Sequence, residues 1–152
     1  MRDDMKLYKD KEPELLSPAN KHYVTMAKEC IQSRICVDLF YASNSYKSLD
    51  ITTIAPLASL TGGDFHLFNN FDVTKHGEKL HYELFRNLTR TQGTEVQFKA
   101  RTSTGISVTE YFGSFLSNEA PDIELAAIDA DKTIGFSLKI DEKLKDNSMA
   151  FL

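Results

Sequence analysis

The sequence predicts an α/β segment followed by an all-β segment. Three observations point that way. Between residues 17 and 92, apolar positions at helical spacing alternate with short apolar runs. From Thr94 to Phe115, strand-like alternation surrounds a Thr104-Gly105 turn, with Val96, Phe98 and Ala100 opposite Gln97, Lys99 and Arg101. Beyond that stretch only strand patterns occur, most cleanly at Thr133–Ile140, where Ile134, Phe136, Leu138 and Ile140 share one face. The domain boundaries drawn from this pattern are 1–92 and 93–152.

Residues 1–16 read as a polar surface arm. Ser17-Pro18 predicts a helix start, serine as N-cap and proline in the first turn. Tyr23, Met26, Ala27, Cys30 and Ile31 then form the buried stripe of a helix over Ala19–Ser33. Ile35–Tyr41 is mostly apolar and predicts a buried parallel strand. Asp38 within it is either a ligand or acid, or a half-buried carboxylate bonded to a neighbouring loop, the commoner outcome. A polar loop, Ala42–Ser48, follows.

Leu49–Leu60 is helical in pattern, with Asp50 as cap and Pro56 dividing it. Thr61-Gly62-Gly63 stops it, a glycine taking the left-handed conformation. These glycines follow a helix and precede a strand, the reverse of a phosphate-binding loop. Asp64–Phe68 predicts the next strand, Asn69–Lys75 a loop, and Glu78–Arg90 a helix with Leu80, Leu84, Phe85 and Leu88 facing inward. The two strands of the Thr94–Phe115 stretch read as a hairpin, with a bulge at the aromatic end around Gly113. Asn118–Asp122 is a loop, Ile123–Ile128 a strand and Asp129–Lys132 a turn. The final residues, Met149 to Leu152, suggest another strand and hence a fragment of something larger.

The 152 residues are 41% hydrophobic and 26% charged, enough for a packed core. A net charge of −4 argues against a general nucleic-acid binder. No apolar run approaches a membrane span, and the charged N-terminus is not a signal peptide. Cys30 and Cys36 lie outside any CxxC pattern and read as two reduced thiols. His76 and His81 are poorly spaced for a shared metal, and there is no HExxH. Neither cysteine is well placed as a nucleophile, and no G-x-S-x-G elbow occurs, so the sequence argues against an enzyme. Asn87-Leu88-Thr89 matches a glycosylation sequon, but within a predicted helix.

A series of motifs carries a resemblance. They are DDMKLYKDKE, LLSPANKHYVTMAKEC, ICVDLFYASNSYKSLDITTIAPLASLTGG, HLFNNF and KARTSTGISVTEYFGSF, in that order. Together they resemble the cargo-adaptor subunit of the inner COPII coat, the Sec-twenty-four family. The related Sec-twenty-three subunit shares the architecture but differs at the R-x-S-T-G strand pair.

The resemblance implies a fold and a set of partners. Residues 1–92 would be the C-terminal half of a von Willebrand A-like, doubly wound trunk. Residues 93–152 would begin an antiparallel β-barrel or sandwich. The expected partners are the Sec-twenty-three coat subunit, the cytosolic tails of membrane cargo and, indirectly, the coat GTPase. The expected location is cytoplasmic, peripheral on the endoplasmic reticulum membrane and COPII vesicles, with no nucleic acid bound. No cofactor is expected in this segment; a structural zinc belongs to a part of the family's chain that is missing here.

For site residues, the resemblance points to Lys99 and Arg101. The family pattern is a basic-x-arginine pair tied to an acidic export-signal pocket, and lysine stands at position 99 where arginine is usual. Two cations at a spacing of two residues would share a strand face, and Arg101 can grip a carboxylate with two hydrogen bonds. The competing view is a solvated face, or pairing with Glu95 or Glu110.

An alternative function is a stand-alone, metal-dependent von Willebrand A module, but the D-x-S-x-S loop that such a site needs is not in the sequence. Both halves look incomplete, so their open edges predict either a larger parent chain or self-association.

Overall fold

The computed structural model describes residues 11–43, 50–116, 122–143, 149 and 151. The N-terminal ten residues, most of the Ala42–Ser48 loop and most of the Asn118–Asp122 loop lie outside the described residues, as do Ala150 and Leu152 of the expected C-terminal strand, whose Met149 and Phe151 are in no strand.

The α/β half contains α1 (Glu12–Leu15), α2 (His22–Gln32), β1 (Leu39–Ala42), α3 (Ile51–Ile54), α4 (Pro56–Thr61), β2 (Phe65–Phe68) and α5 (Val73–Thr89). β1 and β2 pair in parallel, from Leu39 opposite Phe65 to Ala42 opposite Phe68. Helix α2 packs on α4, and the fully buried Ala27 and Ala58 let the two helices approach closely. Its expected stripe faces inward: Tyr23, Met26, Cys30 and Ile31 flank Ala27 and are all partly buried.

Ser17 is not the cap of α2. It follows α1, and the α2 entry is closed by the Asn20 Oδ1, which accepts from His22 N at 2.8 Å. The strand over Ile35–Tyr41 is shorter than expected, because Ile35 is half exposed and pairing begins at Leu39.

Pro56 does split its helix in two, opening α4 at its first turn. Asp50 precedes α3, but its carboxylate accepts from the Thr53 hydroxyl at 2.7 Å and makes no cap bond to the backbone. Gly62 ends α4 with φ +85°. At Gly63 the chain passes so close to the Val37 carbonyl that any Cβ would overlap it.

Helix α5 begins earlier than Glu78, because Asp72 Oδ1 accepts from Thr74 N at 2.8 Å and caps it. Its apolar stripe is also not where periodicity placed it. Leu84, Phe85 and Leu88 are exposed, Leu88 by 72%. The face packed on β2 and the second half is mixed, with Leu80 partly buried, Asn87 buried and Glu83 bonded to His66 at 2.6 Å. Periodicity locates an apolar stripe but does not say which face meets the rest of the chain.

The second half contains β3 (Gln92–Phe98), β4 (Ile106–Phe112), β5 (Ile123–Asp129) and β6 (Gly135–Ile140). Both strands of the expected hairpin exist, but they do not pair with each other. β3 pairs antiparallel with β5, and β4 with β6. The chain between Phe98 and Ile106 carries it from one ladder to the other. β3 and β4 meet through side chains instead, as Phe98 and Tyr111 pack edge to face with centroids 6.1 Å apart.

Between the ladders lie buried Phe115, Ile123 and Leu125, ringed by Val96, Phe98, Tyr111, Ile128 and Ile134. The bulge falls at Thr109, where the β4–β6 register shifts between Val108 and Glu110, and not at Gly113. Of the expected inward face of β6, Ile134 and Phe136 are partly buried, while Leu138 and Ile140 are exposed.

Candidate functional site

Two charged centres stand out, one between the halves and one on the strap that leaves β3. At the first, α5 ends at Thr89 and Arg90 turns the chain into β3 with ψ 152°. That turn drives the Arg90 side chain inward until it is only 8% exposed. Its Nη2 reaches Asp64 Oδ2 at 2.7 Å and Asp129 Oδ2 at 3.0 Å, and its Nη1 lies 3.5 Å from Asp131 Oδ2. Lys132 binds Asp64 as well and stands 3.8 Å from Asp129. Arg86 holds Asp131 with two hydrogen bonds, of 2.9 and 2.5 Å.

Buried Asn87 completes the centre. With its amide nitrogen turned to Asp38 Oδ2 (3.2 Å) and its oxygen to Arg90 (2.9 Å), both its polar atoms are satisfied. Asp38 accepts from Asp64 N at 2.7 Å through Oδ1. Asp38 is therefore a half-buried carboxylate bonded to its neighbours. Asn87, the residue of the sequon, is an internal bonding group.

Physical causes set the ionisation here. Burial alone would raise the Asp64 carboxyl, but the hydrogen bonds from Lys132 and Arg90 outweigh it and hold Asp64 below the ordinary carboxylate range. The bond from Arg86 similarly depresses Asp131. Burial and then Asp38 push the Cys36 thiol up, which disfavours a reactive thiolate. A polar cavity of about 100 Å³ lies beside the cluster, lined by Cys36, Asp38, Arg90, Gln92 and Asp129 among others. No group of three or more His, Cys, Asp or Glu side chains among the described residues is arranged to hold a metal.

The second centre holds Lys99 and Arg101. Both are exposed and both lie beyond the end of β3, on a strap without ladder pairing, and not on a strand face. The strap is fixed at several points. The Ala100 N donates to the Tyr111 hydroxyl at 3.1 Å, and Thr102 Oγ1 donates to Ile106 O at 2.7 Å. Ser103 N donates to Phe151 O at 3.1 Å, and Phe151 N to Ser103 Oγ at 3.2 Å. Gly105, with φ +92°, makes the turn into β4.

Lys99 pairs with Asp122 at 2.7 Å, and not with Glu95 or Glu110. Arg101 has no ion-pair partner among the described residues. The structure therefore places the two cations on one strap but draws them to different neighbours. Sequence reasoning found this strap and missed the Arg90 centre. The Asp129–Lys132 segment was legible only as a turn, and its partners come from distant segments.

These features define a two-part segment, a parallel α/β layer locked by a charged joint to an antiparallel sandwich. A family model described as "Sec23/Sec24 trunk domain" matches residues 1–88, and one described as "Sec23/Sec24 beta-sandwich domain" matches residues 93–152. The human protein transport protein Sec24C is 38% identical over 152 residues, covering 99% of this chain and 14% of that protein. The Arabidopsis thaliana protein transport protein SEC24 B is 40% identical over 134 residues, covering 88% of this chain and 12% of that protein. The crystal structure of the human COPII-coat protein Sec24c aligns with a TM-score of 0.89 at 38% identity, over 98% of this chain and 20% of that one. The chain belongs to the Sec23/Sec24 family and spans a small part of the length of these relatives. No helix among the described residues is long and apolar enough to cross a membrane.

Proposed function

We propose that the chain is the trunk-to-sandwich segment of a cargo-adaptor subunit of the inner COPII coat. The parent protein assembles with a Sec-twenty-three subunit, sits peripherally on the endoplasmic reticulum membrane through the coat GTPase, and captures cytosolic tails of membrane cargo. Its role is binding and not catalysis. Lys99 and Arg101 receive the acidic groups of an export signal.

One observation supports that site above the others. Arg101 is an exposed guanidinium on an anchored strap, with no anion beside it among the described residues. A guanidinium so placed can take a carboxylate in two parallel hydrogen bonds at little reorganisation cost. Lys99, two residues earlier, adds a second positive charge once a ligand competes with Asp122.

The test is a titration of a labelled acidic export-signal peptide into the intact parent protein. Lys99→Glu with Arg101→Glu is expected to weaken binding by about tenfold or more, since charge-assisted hydrogen bonds are worth roughly 1.5–3 kcal/mol each. Pull-down of the Sec-twenty-three partner should be unchanged. Equal peptide affinity in the two proteins would assign Lys99 and Arg101 to an ordinary solvated surface.

A further inference from the structure

The strap carries a second pattern. In Lys99-Ala100-Arg101-Thr102-Ser103-Thr104 there are three side-chain hydroxyls downstream of two cations. Arg101 stands three residues before Thr104, and Lys99 five. Protein kinases choose substrates in part by the charge pattern around the acceptor hydroxyl.

The structure distinguishes the three hydroxyls. Thr102 is partly buried and its Oγ1 is committed to Ile106 O at 2.7 Å. Ser103 is partly buried, and both its N and its Oγ are held by Phe151. Thr104 is exposed at the tip of the turn, and its hydroxyl makes no hydrogen bond among the described residues. The residues before it, Lys99 to Ser103, are in neither helix nor ladder, so a kinase cleft need not break a sheet to bind them.

We infer that Thr104 is the acceptor of a phosphoryl group from a basic-directed Ser/Thr kinase, and that the modification closes the acidic-peptide site. The second half of this inference rests on the peptide site proposed above. In the transfer, Thr104 Oγ1 attacks the γ-phosphorus of MgATP. The new O–P bond forms as the bond to the β–γ bridging oxygen breaks, ADP leaves, and the hydroxyl proton passes to the kinase's catalytic aspartate.

The product carries about −1.5 to −2 charges and three strong acceptor oxygens. Arg101 is the nearest cation in sequence and has no ion-pair partner among the described residues, and Lys99 is the next along the strap. A phosphate drawn to them neutralises the two groups an acidic tail needs, and repels that tail directly.

The experiment treats the full parent protein with an arginine-directed kinase and MgATP, then maps phosphate by mass spectrometry. One phosphate is expected on Thr104, absent in Thr104→Ala, unaffected in Ser103→Ala and strongly reduced in Arg101→Ala. Phosphate on Thr102 or Ser103, or none on the strap, overturns the assignment.

The acidic peptide is then titrated into treated and untreated protein. Treatment is expected to weaken binding about tenfold in wild type and not at all in Thr104→Ala. Equal affinity after stoichiometric Thr104 phosphorylation overturns the regulatory half alone. If untreated wild type binds no acidic peptide, the proposed binding site and its regulation fall together, while the mapping still decides the modification.

Discussion

Two arginines at opposite ends of β3 have opposite surroundings. Arg90 is buried and shared among Asp64, Asp129 and Asp131. Arg101, beyond the end of β3, is exposed with no ion-pair partner among the described residues. The sequence offers the same side chain in both places, and the environment assigns the work. A guanidinium saturated by carboxylates away from water fixes one structural arrangement and has nothing left for a ligand. One anchored through its backbone and left unsaturated is free to receive an anion.

The sharpest way to break this comparison is Arg90→Ala. It would leave Asp64 and Asp129 facing each other, Asp129 with a side chain only 7% exposed. Removing one partner of a buried ion cluster costs about 3–5 kcal/mol. The urea midpoint should fall accordingly. Arg90→Lys should recover little of it, since a single ammonium cannot reproduce a fork that reaches three carboxylates. Arg101→Ala should change the stability by no more than about 0.5 kcal/mol. A small effect at Arg90 would mean that Lys132 and Asn87 suffice to hold the joint.

Acid should act on the same joint with a smaller effect. Asp64 and Asp131 have carboxyls held below their ordinary value in the fold, whereas the unfolded chain keeps them near about 3.9. The unfolded state therefore takes up protons first as pH falls. The stability these groups contribute is full above about pH 5 and is lost progressively below it, as pH drops past the unfolded value and through their lower folded values. Urea midpoints should be flat from pH 7 to about pH 5 and then decline. Asp64→Asn should decline less steeply, and a parallel decline would remove Asp64 from the linkage.

How far the sequence disclosed this arrangement depended on the range of the forces involved. Local chemistry was legible: Pro56 divides its helix, Gly62 ends the second piece with a positive φ, and β1 pairs with β2 in parallel. Strand pairing was less so, because alternation in β3 and β4 marks both as strands without saying that each pairs elsewhere. The stripe of Leu84, Phe85 and Leu88 was read correctly as a stripe and wrongly as the inner face. The Arg90 centre was not legible, since Asp64, Arg90 and Asp129 come from three segments with no shared spacing. The basic strap was found because its two cations are neighbours in sequence, and the resemblance singled them out.

The finest probe of the comparison is Asp122→Asn. Asp122 holds Lys99 at 2.7 Å, with both side chains about half exposed. The pair is therefore an internal competitor for any acidic ligand at Lys99, while Arg101 has no such competitor among the described residues. Exposed ion pairs contribute about 0.2–1 kcal/mol. Abolishing this one should lower stability by no more than that. It should also free the Lys99 ammonium and tighten acidic-peptide binding by roughly two- to fivefold at low salt, the gain shrinking as salt rises. The measurement is a pair of peptide titrations, at low and at physiological ionic strength, on the parent protein and its Asp122→Asn variant. Tighter binding would show that both cations serve the ligand and that Asp122 sets the threshold for an acidic tail. Unchanged binding would leave Arg101 as the site's sole anchor and Lys99 as Asp122's structural partner.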